Sequence, residues 1–237
     1  SGLLGGNALS LFKTWKGENV QRHLAELIQS VESDSNIEIY KNTSQSNVDG
    51  FVGNFKTTMV SDGADKTIEH GIAVIATGGK EYTPDEYLYG KDKRVVTHLE
   101  LDRRFQNHDP SLKGIKNAVF IQCVGSREPD RPYCSRVCCT HSIESALQLK
   151  EMNPDMNVYI LYRDIRTYGE REYLYRKARM EGVLFVQFSK DQKPTVSAGE
   201  DGLKIEVADQ NLGENLVLKA DLLALASAIL PYRDEKL

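Results

Sequence analysis

Cysteine is scarce in this chain and confined to one place. Of 237 residues, only those at positions 123, 134, 138 and 139 are cysteine. That rules out the dispersed cysteines of an exported disulfide framework. No export signal is expected either, because the stretch SGLLGGNALS has no basic region followed by a long apolar core. No apolar run approaches the roughly 20 residues that span a bilayer, so a transmembrane chain is not expected. Basic charge is not in excess: the net charge is −4 with no basic stripe, which argues against nucleic acid as a partner. The expected compartment is therefore the reducing cytoplasm, where four clustered thiols point to metal or redox chemistry.

What is present is ordinary globular composition, 40% hydrophobic and 27% charged, over a length that suits one large domain or two smaller ones. An α/β domain normally opens on a strand, and none precedes Gly5-Gly6, so the first βαβ unit is expected to be missing. Val20, Leu24, Leu27, Ile28 and Val31 recur at helical spacing within Asn19 to Glu32. Asn36 to Tyr40 alternates like a strand, and Asn47 to Val60 reads as strand, turn, strand. Ser61 to Lys66 has Asp-Gly turn chemistry. Ile72 to Ile75 is a continuous apolar run, as in a strand buried on both faces, and it ends in Ala76-Thr77-Gly78-Gly79. Val95 to Asn107 gives a short strand and a helix, and His108 to Lys116 has linker composition. Beyond it, strands at 118–124, 157–164 and 183–189 alternate with helices at about 135–151 and 170–182. Two short strands, GLKIEVAD and NLVLKA, and a last buried strand at 220–227 follow. This rhythm predicts a parallel, doubly wound α/β sheet.

The stretch CVGSREPDRPYCSRVCC, Cys123 to Cys139, joins a predicted strand to a predicted helix. Four thiolates are the ligand set of iron–sulfur clusters and of zinc. Ten intervening residues, then three, then none do not match the paired Cys-x2-Cys of common zinc sites. Cys134 and Cys138, four apart, can share a helix face, with Cys123 approaching from the strand end. Arg127 and Arg136 add positive charge and N–H donors beside an anionic centre. Plainer alternatives are buried core thiols or a redox-active thiol pair without metal.

A Rossmann domain puts its glycine-rich dinucleotide turn at such a strand–loop–helix. This one carries Val124-Gly125-Ser126 but no GxGxxG, so the place for NAD(P) reads as refilled with cysteines. Gly5-Gly6 and Ala76-Thr77-Gly78 are short elements that can bring backbone close to a nucleotide. Ala226-Ser227-Ala228 looks like a degraded copy of the second. His23, His70, His98, His108 and His141 have no partners at metal-ligand spacing. Tyr162 to Arg166 falls where Rossmann proteins read the ribose, although a solvated strand end explains it as well.

The cysteine stretch, followed by HSIESALQLKE, NVYILYRDIRTYG and EGVLFVQF, resembles the A subunit of heterodisulfide reductase. Upstream, GGNALSLFKTWKGENVQRHLAELIQSV and AVIATGG resemble that family's FAD domain. The resemblance implies Rossmann-like doubly wound sheets of the FAD/NAD(P)-linked disulfide oxidoreductase type. It implies a partial FAD-binding domain at 1–110 and an NAD(P)-domain-like module at 111–237, with the strand near 220–227 returning toward the FAD domain. It further implies a [4Fe–4S] cluster on Cys123, Cys134, Cys138 and Cys139, and FAD, in the full-length protein, along Gly5, Gly6, Ala76, Thr77 and Gly78. The activity implied is that of an oxidoreductase component relaying electrons between flavin and cluster, inactive as an isolated fragment. Its partners would be other subunits of such a complex, with a homodimer as a further arrangement. The alternatives are an NAD(P)H-dependent disulfide oxidoreductase with reactive thiols and a zinc-stabilised interaction module. The family's N-terminal GxGxxG and its ferredoxin-type cysteine motifs are absent from this sequence.

Overall fold

The computed structural model describes residues 2–61 and 63–232. They form two compact units: residues 2–9, 19–61, 63–80 and 231–232, and residues 10–18 and 81–230.

In the first unit the helical periodicity yields α1 (Val20–Ser33), capped by Asn19, whose side chain accepts the Arg22 N–H at 2.9 Å. Its apolar stripe stays only partly covered, and none of its residues is buried. An antiparallel meander follows: β1 (Thr43–Phe51), β2 (Asn54–Ser61) and β3 (Ala64–His70). Gly53, with φ +91°, makes the first tight turn. Of the expected Asp-Gly turn, Asp62 lies outside the described residues, while Gly63 has the turn-type φ of +80°.

Two strand expectations fail here. Residues 36–40 are turn and coil, and Glu38 and Tyr40 instead each hold Lys66 Nζ at 2.6 Å. Residues 72–75 are coil, with Ile72, Val74 and Ile75 between 73% and 86% exposed. A strand buried on both faces needs a neighbour on either side, and no described strand pairs with this run. The short β4 (Gly79–Glu81) comes next.

The second unit is built on a five-stranded parallel sheet. Its strands are β5 (Val95–Thr97), β6 (Asn117–Val124), β7 (Asn157–Tyr162), β8 (Leu184–Gln187) and β12 (Leu222–Ser227), in the order β5-β12-β6-β7-β8. Because β5 hydrogen-bonds to β12, the chain joins this unit from residue 81, ahead of the boundary expected near 110. The sheet is apolar on both faces, as its unbroken apolar runs require. Val96, Ala118, Phe120, Ile160 and Ala224 point to one face. There they meet α2 (His98–Gln106), α3 (Cys138–Met152) and α4 (Glu172–Met180) through Leu101, Phe105, Ile143, Leu149 and Ala178.

On the other face Val95, Val119, Ile121, Leu161 and Leu225 pack on Leu203, Ile205 and Val207. These belong to an antiparallel meander of β9 (Thr195–Gly199), β10 (Gly202–Asp209) and β11 (Glu214–Ala220). The second face is thus covered by strands and not by helices, because β10 alternates buried Leu203, Ile205 and Val207 with exposed Lys204 and Glu206. β13 (Ile229–Pro231) ends the described elements. No helix among the described residues is long and apolar enough to cross a membrane.

Candidate metal centre

The chain leaves β6 in one direction, through α3 to β7, and returns to its other side as β12. The carboxyl ends of β6 and β12 therefore form a topological switch point, the place where open α/β sheets bind ligands. All four cysteines gather there, lining one small pocket, with a free volume of about 10 Å³, together with Ser126, Arg127, Arg136, Asp164 and Arg166.

Each thiol arrives by a different device. Cys123 comes from a bulge: Leu225 pairs with Ile121 and Ser227 with Val124, so β6 spends one residue more than β12 over that interval. The extra residue carries Val124 to the same face as Ile121, although strict alternation would oppose them. Cys123 itself has φ +62°, in the left-handed region that L-residues seldom occupy.

Cys134 is brought back by a folded loop. The Arg127 N–H donates to the Tyr133 carbonyl at 3.1 Å, and Glu128 and Arg131 exchange backbone bonds of 3.0–3.1 Å. The helix expected from about Ser135 starts at Cys138, because Arg136 holds φ +68° and cannot be helical. Cys134 consequently lies in the loop, where its Sγ accepts the Arg136 backbone N–H at 3.3 Å.

Cys138 and Cys139, adjacent at the start of α3, diverge as their spacing predicts. The Cys138 thiol donates to the Ser227 carbonyl at 3.8 Å, at the end of β12, and Cys139 to that of Asp164 at 3.7 Å, beyond β7. No side chain caps the start of α3 and no acidic residue occupies its first turn. The free N–H groups and the helix dipole favour a negative centre there. Burial pushes the Cys138 thiol up to about 12 and the Cys139 thiol to about 11, and it raises Cys123 as well. As free thiols these are poor nucleophiles, since reactivity needs the thiolate.

Among the described residues no group of His, Cys, Asp or Glu side chains converges tightly enough to chelate a single metal ion. An iron–sulfur cluster makes a different demand, because its four thiolates bind separate irons and stand farther apart. The donor set fits such a cluster: four thiols on one pocket, an uncapped helix start and three arginines, Arg127, Arg136 and Arg166. Arg166 Nε, in the pocket lining, and Ser227 Oγ, at the end of β12, are also buried without a hydrogen-bond partner.

The glycine turn of a dinucleotide site is closed here. A Cβ on Gly125 would lie 2.2 Å from Tyr82 Cδ1, so the Tyr82 ring occupies the approach. Arg131 stacks on that ring at 4.6 Å and donates Nε to the Gly125 carbonyl. His141 does not line the pocket: its Nε2 meets Asp102 Oδ1 at 3.0 Å, and its ring lies 4.6 Å from that of buried His98.

In the first unit, Gly5 and Gly6 (φ +108° and +52°) open a short 3-10 turn. The Asn7 side chain donates to the Gly79 carbonyl at 2.8 Å and so brings that turn beside the 76–79 segment. Ala76, Thr77 and Gly78 are exposed coil. These five residues line none of the described pockets. Sequence reasoning flagged the cysteines, Arg127 and Arg136, left Asp164 undecided, and missed Tyr82 and Ser126. The missing GxGxxG around Gly125 pointed to a refilled turn, but to cysteines and not to Tyr82 as what fills it.

No protein-family model matches the sequence. Curated relatives do. The A subunit of the H2/formate:CoB-CoM heterodisulfide, ferredoxin reductase of Methanococcus maripaludis is 34% identical over 183 residues, 70% of this chain and 28% of that protein. The iron-sulfur A subunit of the CoB–CoM heterodisulfide reductase of Methanocaldococcus jannaschii is 33% identical over 69% of this chain and 27% of its own length. Among solved structures, thioredoxin reductase of T. acidophilum aligns with a TM-score of 0.57 at 13% identity, over 97% of this chain and 67% of that one. An FAD-bound cadaverine monooxygenase of Erwinia amylovora aligns at 0.55 and 10% identity, over 92% of this chain and 60% of its own. Both share the fold of FAD/NAD(P)-linked oxidoreductases. The chain spans about a quarter of the length of the curated relatives it matches, and it belongs to the family of heterodisulfide reductase A subunits.

Proposed function

We propose that this chain is the redox core of a heterodisulfide-reductase-like oxidoreductase component, relaying electrons between FAD and a [4Fe–4S] cluster held by Cys123, Cys134, Cys138 and Cys139. The observation that carries the reading is the convergence of every cysteine in the chain on one pocket at the switch point of the parallel sheet. When bound, the cluster supplies one-electron transfer. The protein's part is to present four thiols from fixed backbone, to keep water away with Tyr82 and Arg131, and to offset negative charge with Arg127, Arg136 and the start of α3. In this reading the second unit is the NAD(P)-domain-like module, with cysteines where a dinucleotide would lie. The first unit contributes Gly5, Gly6, Ala76, Thr77 and Gly78 to an FAD site completed by other parts of a longer protein. That protein acts with further subunits in the cytoplasm.

Anaerobic reconstitution tests this directly. About four irons and four acid-labile sulfides per chain, with an EPR signal on reduction, are expected. Cys138→Ser should lose most of the iron while keeping the circular dichroism of the folded chain. One zinc per chain, or four titratable thiols with no iron after reconstitution, would sink the proposal.

A further inference from the structure

Asp164 stands just past the end of β7, where dinucleotide-binding folds carry the carboxylate that reads a ribose. Here that carboxylate is already engaged. Its Oδ2 lies 2.6 Å from Arg127 Nη2 and 3.4 Å from Arg166 Nη2. Arg127 turns its other terminal nitrogen, Nη1, to Cys123 Sγ at 3.9 Å. The backbone carbonyl of Asp164 receives the Cys139 thiol at 3.7 Å. Two of the four sulfurs, one from β6 and one from α3, therefore meet at a single ion pair. Arg127 has φ +58°, a left-handed backbone that a non-glycine residue keeps only where its surroundings fix it. The pair is also unequal in its exposure to water: the Arg127 side chain is 23% exposed and that of Asp164 49%. Solvent screens the carboxylate more than the guanidinium, so the pocket feels a net positive charge.

We propose that Asp164, at the former ribose position, serves as the anchor for Arg127, and that Arg127 is the positioning residue that biases a cluster on these cysteines toward its reduced form. This rests on the cluster reading above. The step concerned is the gain of one electron by the oxidised centre from a low-potential one-electron donor, with no bond made or broken. The added negative charge is stabilised by a fixed cation in contact with a ligand sulfur, which raises the reduction potential. The nucleotide role of Asp164 lapses accordingly, because its carboxylate is taken and Tyr82 closes the glycine turn beside it.

The test is an EPR-monitored redox titration of the full chain, purified anaerobically, with iron per chain measured first and dithionite as reductant. Arg127→Gln is expected to keep its iron and to shift the reduction equilibrium about tenfold toward the oxidised form, about 59 mV for a one-electron couple. Arg127→Lys, which keeps the charge without the fork, should move the midpoint less. A glutamine variant with full iron and an unmoved midpoint overturns this proposal alone. If glutamine abolishes iron binding, lysine decides: iron retained with a near-native midpoint supports the proposal, and iron lost overturns it. An unmodified chain that takes up no iron overturns the cluster reading itself, and this proposal with it.

Discussion

A single methyl group at Gly125 would strike the ring of Tyr82, with its Cβ 2.2 Å from Cδ1, at a backbone φ of +71° that favours glycine. Both effects act in the same direction. Gly125→Ala is expected to cost about 1–3 kcal/mol of unfolding free energy, measured by urea denaturation. Adding Tyr82→Ala should recover the steric part and leave the backbone part. At this scale the cysteines were legible, because their number and confinement are facts of composition. The partners of the cysteines were not. Arg127 reaches Asp164 across 37 positions of sequence, and a side-chain pairing between two loops leaves no periodicity to read. Tyr82 was equally hidden, since an aromatic in a polar loop carries no sign of what it covers.

Helix starts and strand edges show the same division. α2 begins with a reciprocal capping box. The Thr97 hydroxyl accepts the Glu100 N–H at 3.4 Å, the Glu100 carboxylate accepts the Thr97 N–H at 2.8 Å, and the Thr97 hydroxyl donates to Glu81 at 2.8 Å. Thr97 is 1% exposed, so water cannot replace what is lost. Thr97→Ala should lower stability by about 1–2 kcal/mol in thermal or chemical melts, and Thr97→Ser should retain most of it. Strands β6, β7, β8 and β12 were readable as apolar runs, and α1 as a periodic one. β9 was missed because the short Thr195–Gly199 is largely exposed, with Val196 its one side chain packed on the core besides its pairing with β10. Ile72 to Ile75 misled for the opposite reason: apolar character predicts burial only where neighbouring strands supply it. The start of α3 shifted by three residues because one left-handed residue, Arg136, breaks a run whose composition suits a helix.

Across the molecule, stability should depend on pH through a group outside the cysteine pocket. Glu144, on α3, is pushed up to about 7 by burial. His141, Lys13 and Arg171 partly oppose the shift, and Asp102 adds to it. A carboxyl whose folded pKa exceeds its unfolded value binds more protons in the folded state. Its stabilising contribution is therefore complete below the unfolded value near 4.5 and is lost as pH rises to about 7. Glu144→Gln should remove that dependence, so its Tm relative to the parent chain should rise between pH 5 and pH 8. An identical Tm difference at both pH values would contradict the assignment. The two units differ in how far they bury their own apolar residues. The second has a core on each face of its sheet, whereas the first leaves α1 without a single buried residue.

The bulge in β6 carries a consequence for how such sites arise. Between Ile121 and Val124 the strand holds one residue more than its neighbour, and that surplus changes the facing of everything after it. The pocket is thus specified by residue count as well as by residue identity. Comparing sequences by substitution alone is blind to this. Deleting one residue between Ile121 and Val124 should therefore reset the facing of the strand end while every cysteine remains, a change that lost iron on reconstitution would reveal.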